Sequence, residues 1–462
     1  MIRNPRSELI LAAVLAAALL PQRASAQEGL PSNSPFRGGV PTGVATADVL
    51  PLSAAEVIER ALQRNLGVLS ADYGVDRAKG AQRVERADLL PNVHAGLMES
   101  RQTRNLEAFG FPLIGQFPAL VGPFNNFDAR LYLSQTIFDA SSLRDAQAAE
   151  HSVEAAKHSY RGARDAVVLV AANLYLQVMA SDARAQSARA QRDTAQALLD
   201  QAQALRQAGM VPGIDVIRAE VRLASDKQRV TMAENTLAKT KLQLARVIGL
   251  PAGQAYTLTD QVPYVPSPER SLPQVLEQAY RDRPDYLASL ERVQAAEAKR
   301  KAVSAEALPA VKLNADYGAI GLTAGTAKST FTVAAGVSVP LFEGGRRQGR
   351  AAESDADLRQ RKAEADDLKA AIDYDVRSSF LDLKATDEEL QVATRGRELA
   401  NQQLVQARDR FAAGVTNNVE VIQAQEAVTL ASEQYISALY AFNVAKAVLA
   451  HSMGTAEQAV LQ

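Results

Sequence analysis

Thr330-Phe-Thr-Val-Ala-Ala-Gly-Val-Ser-Val-Pro340-Leu-Phe342-Glu-Gly-Gly345 alternates for a dozen residues and then stops. Phe331, Val333, Ala335, Val337, Val339 and Leu341 fall on one face, and Thr330, Thr332, Ala334, Gly336 and Ser338 on the other. That is the period of a half-buried strand. The next stretch has a different period. From Phe342 to about Arg410 there is no proline, and Leu368, Ile372, Val376, Phe380, Leu383 and Leu390 form one stripe at helical spacing. Roughly seventy residues at 1.5 Å each make a rod of about 100 Å. A rod of that length suits a bundle or tube, not a globular domain.

The same arrangement is written once more upstream. Phe138-Asp-Ala-Ser-Ser-Leu-Arg-Asp-Ala-Gln-Ala-Ala-Glu150 answers Phe342-Glu-Gly-Gly-Arg-Arg-Gln-Gly-Arg-Ala-Ala-Glu353. Arg206-Gln-Ala-Gly209 with Asp215-Val-Ile answers Phe411-Ala-Ala-Gly414 with Glu420-Val-Ile. Gly249 answers Gly454, and Leu89-Leu-Pro91-Asn-Val93 answers Ala307-Leu-Pro309-Ala-Val311. Gly, Pro and Phe landmarks that recur in one order mark an internal duplication. The expected organisation is a first repeat over residues 52–250, a Pro-rich connector over 251–270, a second repeat over 271–454 and a tail over 455–462. Each repeat reads as helix, strand, loop, strand, very long helix, turn, helix. Ser53 to Asp88 and Ser271 to Ala307 are the opening helices, and Ser141 to Gln207 is the long helix of the first repeat. Val311 to Ala319 alternates like Thr330 to Leu341, as do Val93 to Leu97 and Arg130 to Ile137.

Ahead of the repeats, Arg3 and Arg6 precede an apolar stretch from Leu9 to Leu20 and the small-residue site Ala24-Ser25-Ala26. Residues 1–26 therefore read as a secretory signal peptide, and 27–51, rich in Pro, Gly and Ser, as an extended N-terminal segment. The chain has no cysteine, which excludes disulfides and thiolate metal sites. Its formal net charge is −1, and losing Arg3, Arg6, Arg23 and Glu8 with the leader takes it to −3. No basic face for nucleic acid is expected. Past the leader no run of about twenty apolar residues is found. The most apolar stretch, Ala166 to Ala180, is interrupted by Asn173 and Gln177, so membrane crossing is expected through strands.

Four strands cannot close a barrel, and an open edge in lipid leaves backbone groups unpaired. Two chains would give eight strands, and a barrel of about that size fills with side chains. Three leave room for water, so the expected assembly is a homotrimer. The fold class expected is an α+β membrane protein, with four β-strands per chain in a trimeric twelve-stranded β-barrel continued by a long α-helical barrel.

Leu-Pro before an alternating strand, Val339-Pro340-Leu-Phe342-Glu-Gly-Gly345, Arg283-Pro-Asp285 and Arg410-Phe411-Ala-Ala-Gly414 make the chain resemble the TolC-like outer-membrane factors over nearly its whole mature length. The resemblance implies an outer-membrane channel of a Gram-negative bacterium, its helical part in the periplasm. It would be a passive conduit driven by an inner-membrane pump through a periplasmic adaptor. Small-molecule efflux of drugs or metals is the leading reading, and type I protein secretion the alternative. A periplasmic adaptor or a structural coiled-coil protein are the readings of another class. The first half departs at Asn65-Leu66, where a Pro commonly follows the Asn, and at Thr136, opposite Pro340.

By position the resemblance also suggests sites. The tips Gly209, Met210, Val211, Gly414, Val415 and Thr416 would touch the adaptor, or be plain turns ended by left-handed glycines. Glu420 and Gln423 stand where the family has two acidic rings, and Asp215 and Phe411 stand in its interhelical network. Thr416 replaces an Arg that can link the helices. The bland alternative for Glu420 is an acid favoured in a helix first turn. Thr103 to Asp128 holds five of the twelve phenylalanines, as an ordered cap, an interfacial anchor or a flexible loop. His151 and His158 share a helix face without a third ligand, so no metal and no cofactor is expected. No nucleophile elbow, phosphate loop or zinc signature occurs, and an enzyme is not expected.

Overall fold

The computed structural model describes residues 34, 36, 38–109, 119–260, 270–413, 415, 416 and 418–460. The leader, most of the loop around Phe111 and Phe117, residues 261–269, Gly414 and Asn417 lie outside the described residues. Each half of the chain runs through the same order. The first comprises α1 (Ala54–Arg64), α2 (Leu66–Ala87), β2 (Asn92–Asn105), β3 (Leu120–Phe138), α3 (Ala140–Gln207) and α4 (Gly213–Val247). The second comprises α5 (Leu272–Asp282), α6 (Pro284–Ala305), β5 (Ala310–Gly321), β6 (Lys328–Ser338), α7 (Arg346–Ala412) and α8 (Asn418–Ser452), followed by the short α9 (Ala456–Val460). A strand from each flanking segment, β1 (Leu50–Leu52) and β4 (Tyr256–Leu258), pairs in parallel.

Several boundaries differ from the sequence reading, each for a local reason. The single opening helices are pairs. Asn65 is extended, its side chain accepting from Gly67 N at 2.8 Å and donating to Phe36 O at 2.7 Å, which ends one helix and caps the next. In the second half, Arg283 is extended because it precedes Pro284. Strand β6 ends at Ser338 and α7 starts at Arg346. Pro340 lacks the N–H a ladder needs, and Gly344 and Gly345 take φ of +62° and +88°, which no side chain favours. The Phe-rich loop is shorter than expected, since Phe124 and Phe127 belong to β3. The described parts of the connector and of the N-terminal segment are tied to the rest of the chain. Beyond the β1–β4 pairing, Asp260 Oδ2 accepts from Ala54 N at 2.7 Å and from the Tyr175 hydroxyl at 2.9 Å.

The four long strands form one antiparallel sheet in the order β2-β3-β5-β6. Its register sorts the side chains by face. Val93, Leu133, Ala315 and Val333 stand in one row, and Ala95, Leu131, Tyr317 and Phe331 in the next but one. The intervening rows hold His94, Tyr132, Asp316 and Thr332, and Gly96, Arg130, Gly318 and Thr330. Because side chains alternate along every strand, these rows give one apolar and one polar face across all four strands, while farther along β2 Glu99 and Arg101 fall on the apolar side. The apolar face is bare: Phe331 is 74 % exposed. Among the described residues the outer edges of β2 and β6 pair with no further strand.

The core lies where the opening helices meet the long ones. Val57, Ile58 and Ala61 of α1 pack on Val167, Val168 and Ala171 of α3, with Leu244 and Ile248 beside them. Val275 and Ala279 of α5 pack on Ile372 and Val376 of α7, with Ala438 and Phe442 of α8. The duplicated sequence therefore packs as a duplicated core, each buried aliphatic side chain contributing about 1.5–3 kcal/mol. Helix α3 contains a stretch that by length and composition is apolar enough to cross a membrane, 44 % of it buried. The sequence reading denied this of every helix. Val167, Val168, Ala171, Tyr175 and Val178 of α3 are core residues, so that apolarity serves packing.

Helix α9 docks on the middle of α3. Arg164 donates to Glu457 through Nε at 3.1 Å and Nη2 at 2.5 Å, and burial pushes the neighbouring Asp165 carboxyl up to about 6 against a hydrogen bond from the Glu457 N–H. A raised carboxyl pKa adds stability that is present below pH 4 and lost as pH rises through about 6. Asp165→Asn is therefore expected to be more stable than the parent at pH 7 by roughly 1–3 kcal/mol. That gap should shrink towards pH 4, read as the difference between the two melting curves. A gap that stays constant with pH would remove the carboxyl from the account.

Candidate functional site

Two helix–turn–helix tips, one per half, carry most of the residues singled out by sequence. In the first, Gly209 sits at φ +72°. Its N–H donates to Arg206 O at 3.0 Å, and Met210 N donates to Leu205 O at 2.9 Å, the closure of a helix ending on a left-handed residue. In the second, Val415 N donates to Arg410 O at 3.0 Å, the same six-to-one closure. Between the helices, Ala195, Leu199 and Ala202 of α3 meet Val216, Ala219 and Leu223 of α4. Small residues allow this close approach. The tips leave apolar side chains bare, Met210 at 70 % and Val415 at 69 % exposure, beside exposed Arg206, Gln207 and Arg410. Val211 is half-buried.

Glu420 opens α8 and is held within its own hairpin. The Thr416 hydroxyl donates to its Oε2, and Arg410 Nε lies 3.5 Å from its Oε1. Arg410 thus supplies a cation near the carboxylate even though position 416 is a threonine. Gln423, one turn on, is exposed. Phe411 packs against Ala407, Val421 and Ala424, a cluster that Leu198 of α3 also touches. Asp215 is buried in the first turn of α4 and accepts from Arg218 Nη1 at 3.1 Å. Thr416 and Glu420 are therefore brought together, while Phe411 acts through packing.

Sequence reasoning missed a polar cluster farther along the same helices. Arg222 Nε donates to Asp226 Oδ2 at 2.9 Å, and the other two nitrogens reach Glu426 Oε1 at 3.1 Å and Thr429 Oγ1 at 3.3 Å. The available signal was an Arg and an Asp four apart among the inward positions of α4, flanked by Ala219, Leu223 and Val230. Beside the cluster α3, α4 and α8 leave a cleft of about 590 Å³ that Arg184, Arg229, Met232, Glu426, Thr429 and Leu430 help to line. At the sheet, Arg130 donates to Asp128 and Asp316, each at 2.7 Å, and His94 stacks on Tyr132 with ring centroids 4.9 Å apart. All five belong to the polar face. His151 bonds Glu291 of α6 at 2.8 Å, which gives that histidine a packing role.

The sequence pattern that defines the outer membrane efflux proteins matches residues 57–250 and 275–455, one stretch per repeat. The chain belongs to the outer membrane efflux protein family. It is an outer-membrane efflux channel, as its Leu-Pro, Phe-Glu-Gly-Gly and Phe-Ala-Ala-Gly motifs implied. Among the family's proteins, it is 26 % identical over 389 residues to the pyoverdine export outer membrane protein OpmQ of Pseudomonas putida, covering 82 % of this chain and 81 % of that one. The crystal structure of the CmeC outer membrane channel of Campylobacter jejuni superposes with a TM-score of 0.75 at 16 % identity, over 87 % of this chain and 86 % of CmeC. The open state of the MtrE outer membrane channel of Neisseria gonorrhoeae gives 0.72 at 18 % identity, over 90 % and 94 %. These likenesses establish the efflux-protein fold for a chain far diverged in sequence.

Proposed function

We propose that three copies of this efflux protein close a twelve-stranded barrel, and that the conduit carries small molecules out of the periplasm. The observation that carries the reading is the four-stranded sheet with one apolar face, one polar face and two edges that are unpaired among the described residues. In lipid such edges must find partners, and joining β6 of one chain to β2 of the next supplies them. The apolar rows then face lipid, and the polar rows with Arg130, Asp128 and Asp316 line the bore. Two chains would leave a filled interior and three an aqueous one. The kinship with a protein named for pyoverdine export favours small-molecule cargo.

At the other end, Met210, Val211, Val415 and Thr416, with Gly209 shaping the first turn and Gly414 included by its place in the sequence, form the docking surface for a periplasmic adaptor, which links the channel to an inner-membrane pump. Bare apolar side chains at a helix turn favour such a role over a solvated loop. Glu420, with Gln423 beside it, lines the narrow end as a ring that favours cations over anions. Asp215, Phe411 and Thr416 hold that end in place. The test is photo-crosslinking in living cells from a reactive group at Val211 or Thr416. The expected product is the adaptor of a proton-driven pump. Capture of an ABC exporter's adaptor would turn the cargo reading to protein secretion, and no capture at all would remove the docking role from the tips.

A further inference from the structure

On the polar face of the sheet, Arg130 has a glycine on either side, Gly96 opposite it on β2 and Gly318 on β5. Both lie inside strands, where a missing side chain weakens the sheet and marks a close approach by something else. Here the visitor is a side chain. A Cβ on Gly318 would lie 2.5 Å from Arg130 Cγ, and one on Gly96 would lie 3.1 Å from Tyr132 Cε2. Side chains of a strand ordinarily stand off the sheet. The Arg130 stem instead lies over β5, and the Tyr132 ring leans over β2, where His94 stacks on it.

Two carboxylates then fix the guanidinium. Asp128, on the same strand, takes Nε, and Asp316, one polar row away on β5, takes Nη1, each at 2.7 Å. Charge-assisted bonds to a planar fork orient it as well as attract it, and two of them arriving from different strands leave it one orientation. The Arg130 side chain is 18 % exposed and those of the aspartates 16 % each. The other cations of these rows are treated differently. Lys312, opposite Thr136, and Lys328, opposite Ile320, are both exposed. The arginine between them is the one folded down.

We propose that Asp128 and Asp316, using the room left by Gly96 and Gly318, hold Arg130 flat against the wall of the bore and so keep the outer part of the conduit wide for its cargo. This rests on the barrel reading above, in which the polar rows line the bore, and it names the residues that set the free width there. Every chain of the oligomer brings its Arg130 to the same level of the barrel. Without the carboxylates these long cationic side chains stand into the lumen together and narrow it.

The chain has no cysteine, so Thr332→Cys places a single reporter on the polar face, exposed and opposite Asp316. The experiment times the labelling of this reporter in intact cells by a bulky uncharged polyethylene-glycol maleimide, with heat-modifiable oligomers in the outer-membrane fraction as the check on assembly. Adding Asp128→Asn/Asp316→Asn is expected to slow labelling several-fold. Adding Arg130→Gln to that pair is expected to restore the reporter's own rate, since the side chain standing in the bore is then short and neutral. Asp316→Asn alone leaves the Asp128 bond, is the milder change for assembly, and is expected to give a smaller slowing. Unchanged labelling in both aspartate variants would overturn the proposal. So would equal slowing with and without Arg130→Gln, which would point to a distorted wall. A reporter reached by N-ethylmaleimide but not by the bulky reagent would mean that the bore is narrow with the arginine in place, and would overturn it too. A reporter that neither reagent reaches would instead sink the barrel reading, and the proposal with it.

Discussion

Phe331→Arg is expected to stop the protein from assembling in the outer membrane, while Thr332→Arg, one residue along, leaves assembly intact. Phe331 stands between rows of small and aliphatic residues on the apolar face, opposite Tyr317, and is 74 % exposed. In the proposed barrel that face meets hydrocarbon. An arginine there costs about 2–4 kcal/mol near the bilayer midplane, and every chain of the oligomer bears it. Thr332 stands opposite Asp316 on the polar face, where an arginine gains a carboxylate and stays in water. Heat-modifiable oligomers in outer-membrane fractions read the outcome. Equal assembly of both variants would mean that the apolar face does not meet lipid, and the barrel reading would fall.

Phe442→Ala is expected to destabilise the chain by about 3–5 kcal/mol. The side chain is fully buried, with Val275 and Ala279 of α5 and Ile372 and Val376 of α7 in the same cluster. Removing the ring leaves a cavity that three packed helices cannot close. Leu237 stands at the corresponding place of the first half and is partly buried against that half's core. Phe442→Leu is accordingly expected to cost much less than the alanine. Denaturant or thermal melts of the purified protein test this, and equal losses for both substitutions would show that the ring is not a packing element.

Much of this architecture can be read locally. Alternation from Thr330 to Ser338 and the proline-free stripe of Leu368, Ile372 and Val376 are properties of neighbouring residues, and they become β6 and α7. The helix break at Arg283 is written locally in the proline that follows it, while the one at Asn65 is not, because an Asn inside an amphipathic stretch reads as a continued helix until a partner claims it. For Asn65 that partner is Phe36 O, far upstream. The site divides in the same way. Glycine-ended turns and the acid at 420 stand out at sight, but the grip of Arg410 and Thr416 on Glu420 depends on how the hairpin closes.

The sequence by itself determined the duplication, the two long hairpins and the alternating strands, since spacing within a segment dictates which side chains share a face. Only the tertiary structure decided that β3 pairs with β5 across the two halves, which builds one continuous apolar face from four separate stripes. It alone also put Arg222 against Glu426, 204 residues away. Periodicity carries no information about which distant segment a face will meet. That choice is made when strand edges find hydrogen-bond partners and buried charges find counter-charges, and both are properties of the folded chain.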